Sequence, residues 1–261
     1  MTATENIQLP DATIHCLISG RNNAPALVLL HGNGEDSRVF NLQIRYFSQY
    51  YKVIAIDTRG HGQSTMGTAP FNFHTFAADL IAVLDALQIE KAHIVGFSDG
   101  ANTALHAALI APERILSMVL LGPNYNPKGL TPIVRLQIRF AYIGLSIASL
   151  FSTKMRKRKK IWGLMVYHPN LTIKELSRIT NHTLIITGEN DMVSQRHNDE
   201  LSNAITGSKR LIIPGGDHFW MFQYPDTLHR HVIKFLKVGK MEEIGKIEKL
   251  CPFIIQTHFK H

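Results

Sequence analysis

The most informative stretch of the chain is Ala92-His93-Ile94-Val95-Gly96-Phe97-Ser98-Asp99-Gly100. Ala92–Val95 is a short β-prone run of the kind found in a strand buried on both faces. Asp99–Ala111 is a stretch of small residues that, as a helix, can lie close to a sheet. Between them, Gly96-Phe97-Ser98-Asp99-Gly100 fits Gly-x-Ser-x-Gly. The pattern constrains three positions, and a Gly-rich turn in any α/β protein would satisfy it. Its flanks make it specific, because a strand before and a helix after place Ser98 on a sharp strand-to-helix turn. Flanking glycines let neighbouring backbone approach without a Cβ clash, and the helix N-terminus favours negative charge at the serine oxygen.

Outward from this turn, strands and helices alternate. Ala12–Ser19, Ala26–Leu30, Lys52–Ile56, Met118–Leu121, Thr183–Ile186 and Arg210–Ile213 read as further strands. Phe76–Leu87 places Phe76, Leu80, Val83, Leu84 and Leu87 at helical spacing. Short apolar strands separated by helices predict an α/β fold, a mostly parallel sheet with helices on both faces. About sixty residues separate strand Met118–Leu121 from strand Thr183–Ile186, too long for a plain loop. Pro132–Phe151 and Ile161–Tyr167 look helical, which predicts an inserted helical lid at 124–182. The core is then 1–123 plus 183–237, with its last helix at Tyr224–Leu236, and 238–261 is a C-terminal extension.

Composition narrows the class. Of 261 residues 45% are hydrophobic and 18% charged, enough apolar matter for one large α/β domain and too much for a disordered chain. No run of eighteen uncharged apolar residues predicts a membrane span, and Met1–Asn6 lacks the basic and apolar regions of a secretory signal. Two cysteines, Cys16 and Cys251, form neither a disulfide framework nor a metal-ligand spacing. The expected address is a reducing cytoplasm. Net charge is +8, but Lys154, Arg156, Lys157, Arg158, Lys159 and Lys160 supply six of the positive charges. Without them 22 basic residues face 20 acidic ones, so the basic character is local.

A serine hydroxyl needs a base to act as a nucleophile at neutral pH. Fourteen histidines are available. His218 follows strand Arg210–Ile213 in Gly215-Gly216-Asp217-His218, beyond the carboxyl end of a strand, where open α/β sheets carry their sites. His229 and His231 fall in the last helix and read as surface residues, whereas His15, His93 and His106 read as structural. The base needs a carboxylate to fix its tautomer. Asp191 in Gly188-Glu189-Asn190-Asp191 also follows a strand, with Glu189 as its near competitor. Asp217 is discounted because an adjacent residue rarely curls back to its neighbour's Nδ1. An oxyanion hole requires backbone donors. Those expected are the N–H groups of Asp99 and of Asn33, the latter in His31-Gly32-Asn33-Gly34 after strand Ala26–Leu30.

With these segments in this order, joined by Asp57-Thr58-Arg59-Gly60-His61-Gly62-Gln63-Ser64, the chain resembles the α/β-hydrolase fold superfamily over roughly residues 12–237. The resemblance implies no cofactor, a variable cap where the insertion falls, and a structural role for Asp57, Arg59 and Ser64. It implies a Ser98–Asp191–His218 triad. Serine at the elbow, where dehalogenase- and epoxide-hydrolase-like members carry aspartate, points to acyl transfer to water. The implied substrate is a small or medium carboxylic ester. Alternatives are carbon–carbon bond hydrolysis of a ring-fission product with the same triad, or a non-catalytic binding protein. Asp99 resembles the elbow of valacyclovir-hydrolase-like members, which would attract a substrate amine. The other reading is that its carboxylate caps the first helical turn.

In the lid, Ile133, Leu136, Phe140, Ile143 and Ile147 recur every three or four residues. Such a stripe is expected to pack on the core. The basic run at 154–160 is expected to be a solvated face or loop, the other reading being contact with an anionic membrane. Nucleic acid is not an expected partner, because the aromatic interleaving of single-strand binders is missing.

Overall fold

The computed structural model of the chain describes residues 2–236. Eight strands form one sheet: β1 Ala3–Gln8, β2 Thr13–Ser19, β3 Ala26–Leu30, β4 Lys52–Ile56, β5 Ala92–Phe97, β6 Ile115–Leu121, β7 His182–Gly188 and β8 Lys209–Ile213. Their order is β1-β2-β4-β3-β5-β6-β7-β8. The β1–β2 and β2–β4 pairs are antiparallel, and every later pair is parallel. The helices are α1 Asn41–Phe47, α2 Phe73–Ala86, α3 Asp99–Ile110, α4 Pro132–Ala148, α5 Thr153–Tyr167, α6 Ile173–Leu176, α7 Gln195–Ala204, α8 Trp220–Gln223 and α9 Pro225–Leu236.

The apolar strands work because the sheet is covered on both faces. Strand side chains alternate, so β3 sends Val28 and Leu30 to one core and Leu27 and Leu29 to the other. The first core includes Leu80 and Val83 of α2 and Ala101, Ala104 and Leu105 of α3. The second includes Phe47 of α1, Trp220 of α8 and Val232 of α9. α3 is rich in alanine, which permits close approach to the sheet.

The Asp57–Ser64 loop is structural, as the resemblance implies. Asp57 accepts from the N–H groups of Ser37 and Gln63, at 2.7 and 2.8 Å. The buried Arg59 guanidinium pairs with Asp79 and Asp11, both at 2.7 Å. Its two carboxylate partners keep the Arg59 pKa above its ordinary value, and Arg59 holds Asp11 well below the usual carboxylate range.

Several details depart from the expectations. β1 is an extra antiparallel edge strand, nearly all exposed and therefore without an apolar signature. The basic run lies within α5, which starts at Thr153 with Ser152 as N-cap and not at Ile161. The α4 stripe faces solvent: Phe140 is 65% exposed and Ile143 55%, and on α4 only Ile138 is buried. His229 is buried, stacked on Tyr46 with ring centroids 4.1 Å apart, and His231 is half-buried. The C-terminal extension from 238, with Cys251, lies outside the described residues.

Candidate active site

Three strand ends converge on the site. β5 runs into α3 through Ser98, whose φ of 53° and ψ of −115° put a non-glycine residue in a sparsely populated region. Such an outlier persists only where the surroundings over-determine it. One constraint is visible at Gly100. A Cβ there would stand 2.0 Å from the carbonyl oxygen of Leu30, because the start of α3 presses on the end of β3. The motif's second glycine is therefore a packing requirement.

β7 ends at Gly188 and presents Asp191, and the loop after β8 presents His218. His218 Nδ1 lies 2.7 Å from Asp191 Oδ1, and His218 Nε2 lies 3.1 Å from Ser98 Oγ. The same Asp191 oxygen accepts from the N–H of Val193 at 2.9 Å, which fixes the carboxylate. Asp191 and His218 are buried and Ser98 is half-buried. The rings of Phe97 and Phe219 pack against the imidazole, with centroids at 5.1 and 5.3 Å.

The competing acids go elsewhere. Glu189 accepts from the N–H of Gly215 at 2.8 Å, tying the loop after β7 to the loop after β8. Asp217 accepts from Phe219 N–H and Gln223 Nε2, bracing the start of α8.

The loop after β3 is held by His31. Its Nε2 accepts from the N–H of Thr58 at 3.0 Å, so its Nδ1 carries the proton and donates to Gly32 O at 2.7 Å. Burial pushes its pKa down, which keeps this neutral form. Asn33 Nδ2 donates to Asp99 Oδ2 and also to the carbonyl of Ile161 on α5, each at 2.8 Å. One side chain thus links the loop, the elbow and the inserted helices. Burial lifts the Asp99 carboxyl to about 6. Glu35, which accepts from Gly32 N–H at 2.9 Å, is likewise raised by burial.

One residue was missed by sequence reasoning. Gly122 directly follows β6 and carries no side chain that would mark it. A Cβ there would lie 2.6 Å from His218 Cε1 and 3.3 Å from Asp191 Oδ2, and its φ is +57°. Its position, directly after an apolar strand that neighbours β5, was the available signal.

The inserted α4 and α5 are seated at two points. Ile138 joins a small cluster with Leu130 and Val193, just after Asp191. Leu164 packs with Phe73 and Phe76 of α2. Among the described residues no group of histidines, cysteines and acids has the arrangement of a metal site, and no helix is long and apolar enough to cross a membrane.

Comparison with known proteins agrees with this geometry. A family model described as the alpha/beta hydrolase fold matches residues 25–144. A 3-oxoadipate enol-lactonase of Acinetobacter baylyi is 33% identical over 116 residues, 44% of this chain and 43% of the relative, so that match spans less than half of its length. The human serine hydrolase BPHL is 26% identical over 250 residues, covering 86% of this chain and 83% of the relative. The structure of carboxylesterase CesB from Bacillus subtilis superposes with a TM-score of 0.74 at 21% identity, over 90% of this chain and 92% of that one. The sheet order, the elbow and these matches agree: the chain has the α/β-hydrolase fold and is similar in sequence to hydrolases built on it.

Proposed function

We propose that the protein cleaves a small or medium carboxylic ester through an acyl-enzyme, with Ser98 as nucleophile, His218 as base and Asp191 as orienting acid. The observation that carries this reading is the unbroken path from Asp191 Oδ1 through the His218 ring to Ser98 Oγ, at 2.7 and 3.1 Å. Both separations are within hydrogen-bond reach.

In this reaction His218 Nε2 takes the Ser98 proton as Oγ attacks the carbonyl carbon. The imidazolium formed is stabilised by Asp191. It returns the proton to the leaving alcohol, and the ester C–O bond breaks. A water then gives its proton to His218 and attacks the acyl carbon. His218 returns that proton to Ser98 Oγ as the bond between Oγ and the acyl carbon breaks, the acid departs and Ser98 is regenerated. We assign the oxyanion hole to the N–H groups of Asn33 and Asp99. The 2.8 Å bond between their side chains supports this by tying the two residues together.

Relatives named as a lactonase, a serine hydrolase and a carboxylesterase favour ester-type bonds. Asp99, next to the nucleophile and ionised above about pH 6, would favour esters bearing a free amine. The helical insertion at 124–182 acts in this reading as the lid.

The test is a panel of amino-acid esters, their N-acylated counterparts, neutral esters and a vinylogous diketone. Ester hydrolysis that Ser98→Ala reduces by about 10⁴ or more is the expected outcome. A preference for free amines that vanishes in Asp99→Asn would support the role given to Asp99. Faster turnover of the diketone than of any ester would replace this reading with carbon–carbon hydrolysis. Turnover of nothing would favour a binding protein.

A further inference from the structure

We infer that the α4–α5 hairpin docks the protein on an anionic membrane surface. Two independent observations meet there. The first is an apolar face with nothing against it among the described residues. Along α4, Leu136, Phe140, Ile143 and Ile147 lie three or four residues apart on one side of the helix, each at least half exposed. At the turn that follows, Leu150 is 74% exposed and Phe151 84%. Isolated exposed apolar residues are ordinary, but a continuous stripe of this length marks an interaction surface.

The second observation is charge. Residues 132–167 carry eight lysines and arginines and no acid. The remaining 225 residues hold 20 basic and 20 acidic side chains. The whole formal charge of +8 is therefore concentrated in this hairpin. The basic run packs alongside α4, where Lys159 Nζ sits 5.8 Å from the centre of the Tyr142 ring. On the other flank Lys128, Arg135 and Arg139 line a groove of about 750 Å³ with Ile138 and Met165, and no acid lines it.

Apolar side chains beside a dense cation cluster match one kind of partner. A bilayer containing anionic lipids offers hydrocarbon at shallow depth and negative headgroups around it. Nucleic acid would answer the charge and leave the aliphatic stripe in water. A second copy of the chain, meeting the same face about a two-fold axis, would bring two +8 hairpins together. The attachment is peripheral, since neither helix is long and apolar enough to span. Because the Ile161 carbonyl of α5 accepts from Asn33, the membrane-facing segment is hydrogen-bonded to the loop beside the elbow.

The experiment is sedimentation of the full chain with vesicles of phosphatidylcholine, with and without phosphatidylglycerol, at low and high salt. Two variants accompany it. One combines Lys154→Gln, Arg156→Gln, Lys157→Gln and Arg158→Gln. The other combines Phe140→Ser, Ile143→Ser and Phe151→Ser. Every position is exposed, and circular dichroism checks that both variants fold. The inference expects binding to the anionic vesicles alone, weakened by salt and by about five-fold for each charge removed, and lost in the serine variant. Wild-type protein that stays in solution with every vesicle overturns it. Vesicle binding unaffected by the serine variant also overturns it, leaving adsorption of a basic protein. A dimer that the serine variant dissociates, without vesicle binding, assigns the stripe to a second copy instead.

Discussion

Gly122 and His218 are in such close contact that a single methyl group on Gly122 would stand 2.6 Å from the imidazole Cε1. Gly122 follows β6 and takes a φ of +57°. Gly122→Ala should therefore displace the ring from Ser98 and add backbone strain. The expected outcome is a fall in kcat of about 10² or more with KM little changed, since a misplacement of about 1 Å costs that much. Ester kinetics beside a circular dichroism spectrum checks it. An active, folded Gly122→Ala would show that the ring has room to spare.

Asp191 meets His218 Nδ1 at 2.7 Å, so Asp191→Asn should keep the geometry and lose the function. An amide at that position can present its N–H₂ to Nδ1 and leave the proton on Nε2, where it cannot accept from Ser98. A loss in kcat of about 10⁴ is expected near neutral pH. Glu189→Gln, which weakens only the bond to Gly215 N–H, should cost far less. Equal losses in both would return Glu189 as a competitor.

Asn33 holds the Asp99 carboxylate at 2.8 Å. Burial raises the Asp99 pKa from 3.8 to about 6, so the folded protein binds that proton more tightly than the unfolded chain does. The resulting stability is full below about pH 3.8 and is lost as pH rises through about 6. Asn33→Ala removes a bond that favours the ionised form, and so extends that loss to higher pH. The variant should cost about 1–3 kcal/mol above pH ~7 and less below pH ~4. Urea unfolding at both pH values checks this, and a penalty of equal size at both would remove Asp99 from the account.

His229 works in the opposite direction. Burial pushes its pKa from 6.5 to about 4, so it folds neutral. Its stabilising contribution is present above about pH 6.5 and is lost as pH falls through about 4. His229→Phe, which retains a ring against Tyr46, should therefore gain on the wild type in thermal midpoint as pH drops through this window. A constant difference across it would show that His229 is not buried as a neutral ring.

What could be read from the sequence, and what could not, follows from which forces leave a trace in residue order. Strands β2 to β8 were legible because strands of a covered sheet must be apolar on both faces, as Leu27-Val28-Leu29-Leu30 is. β1 was not, because Thr4, Glu5 and Asn6 sit on an exposed edge. The positions of Ser98, Asp191 and His218 were legible as loop residues beyond strand ends, and the structure brings them within hydrogen-bond reach. Gly122 was silent because its importance is the absence of a side chain. Periodicity located the apolar face of α4 but not what covers it, so a stripe expected in the core stands in solvent. His229 was misread for a related reason: helical position does not reveal that Tyr46 of α1 closes over it.

Activation of Ser98 by His218 can be read from intact mass after incubation with a fluorophosphonate. One added label is expected on the wild type, none on Ser98→Ala, and slow labelling on Asp191→Asn. Labelling of Ser98→Ala to the same extent as wild type, or no label on the wild type under conditions where its substrate esters are bound, would contradict it.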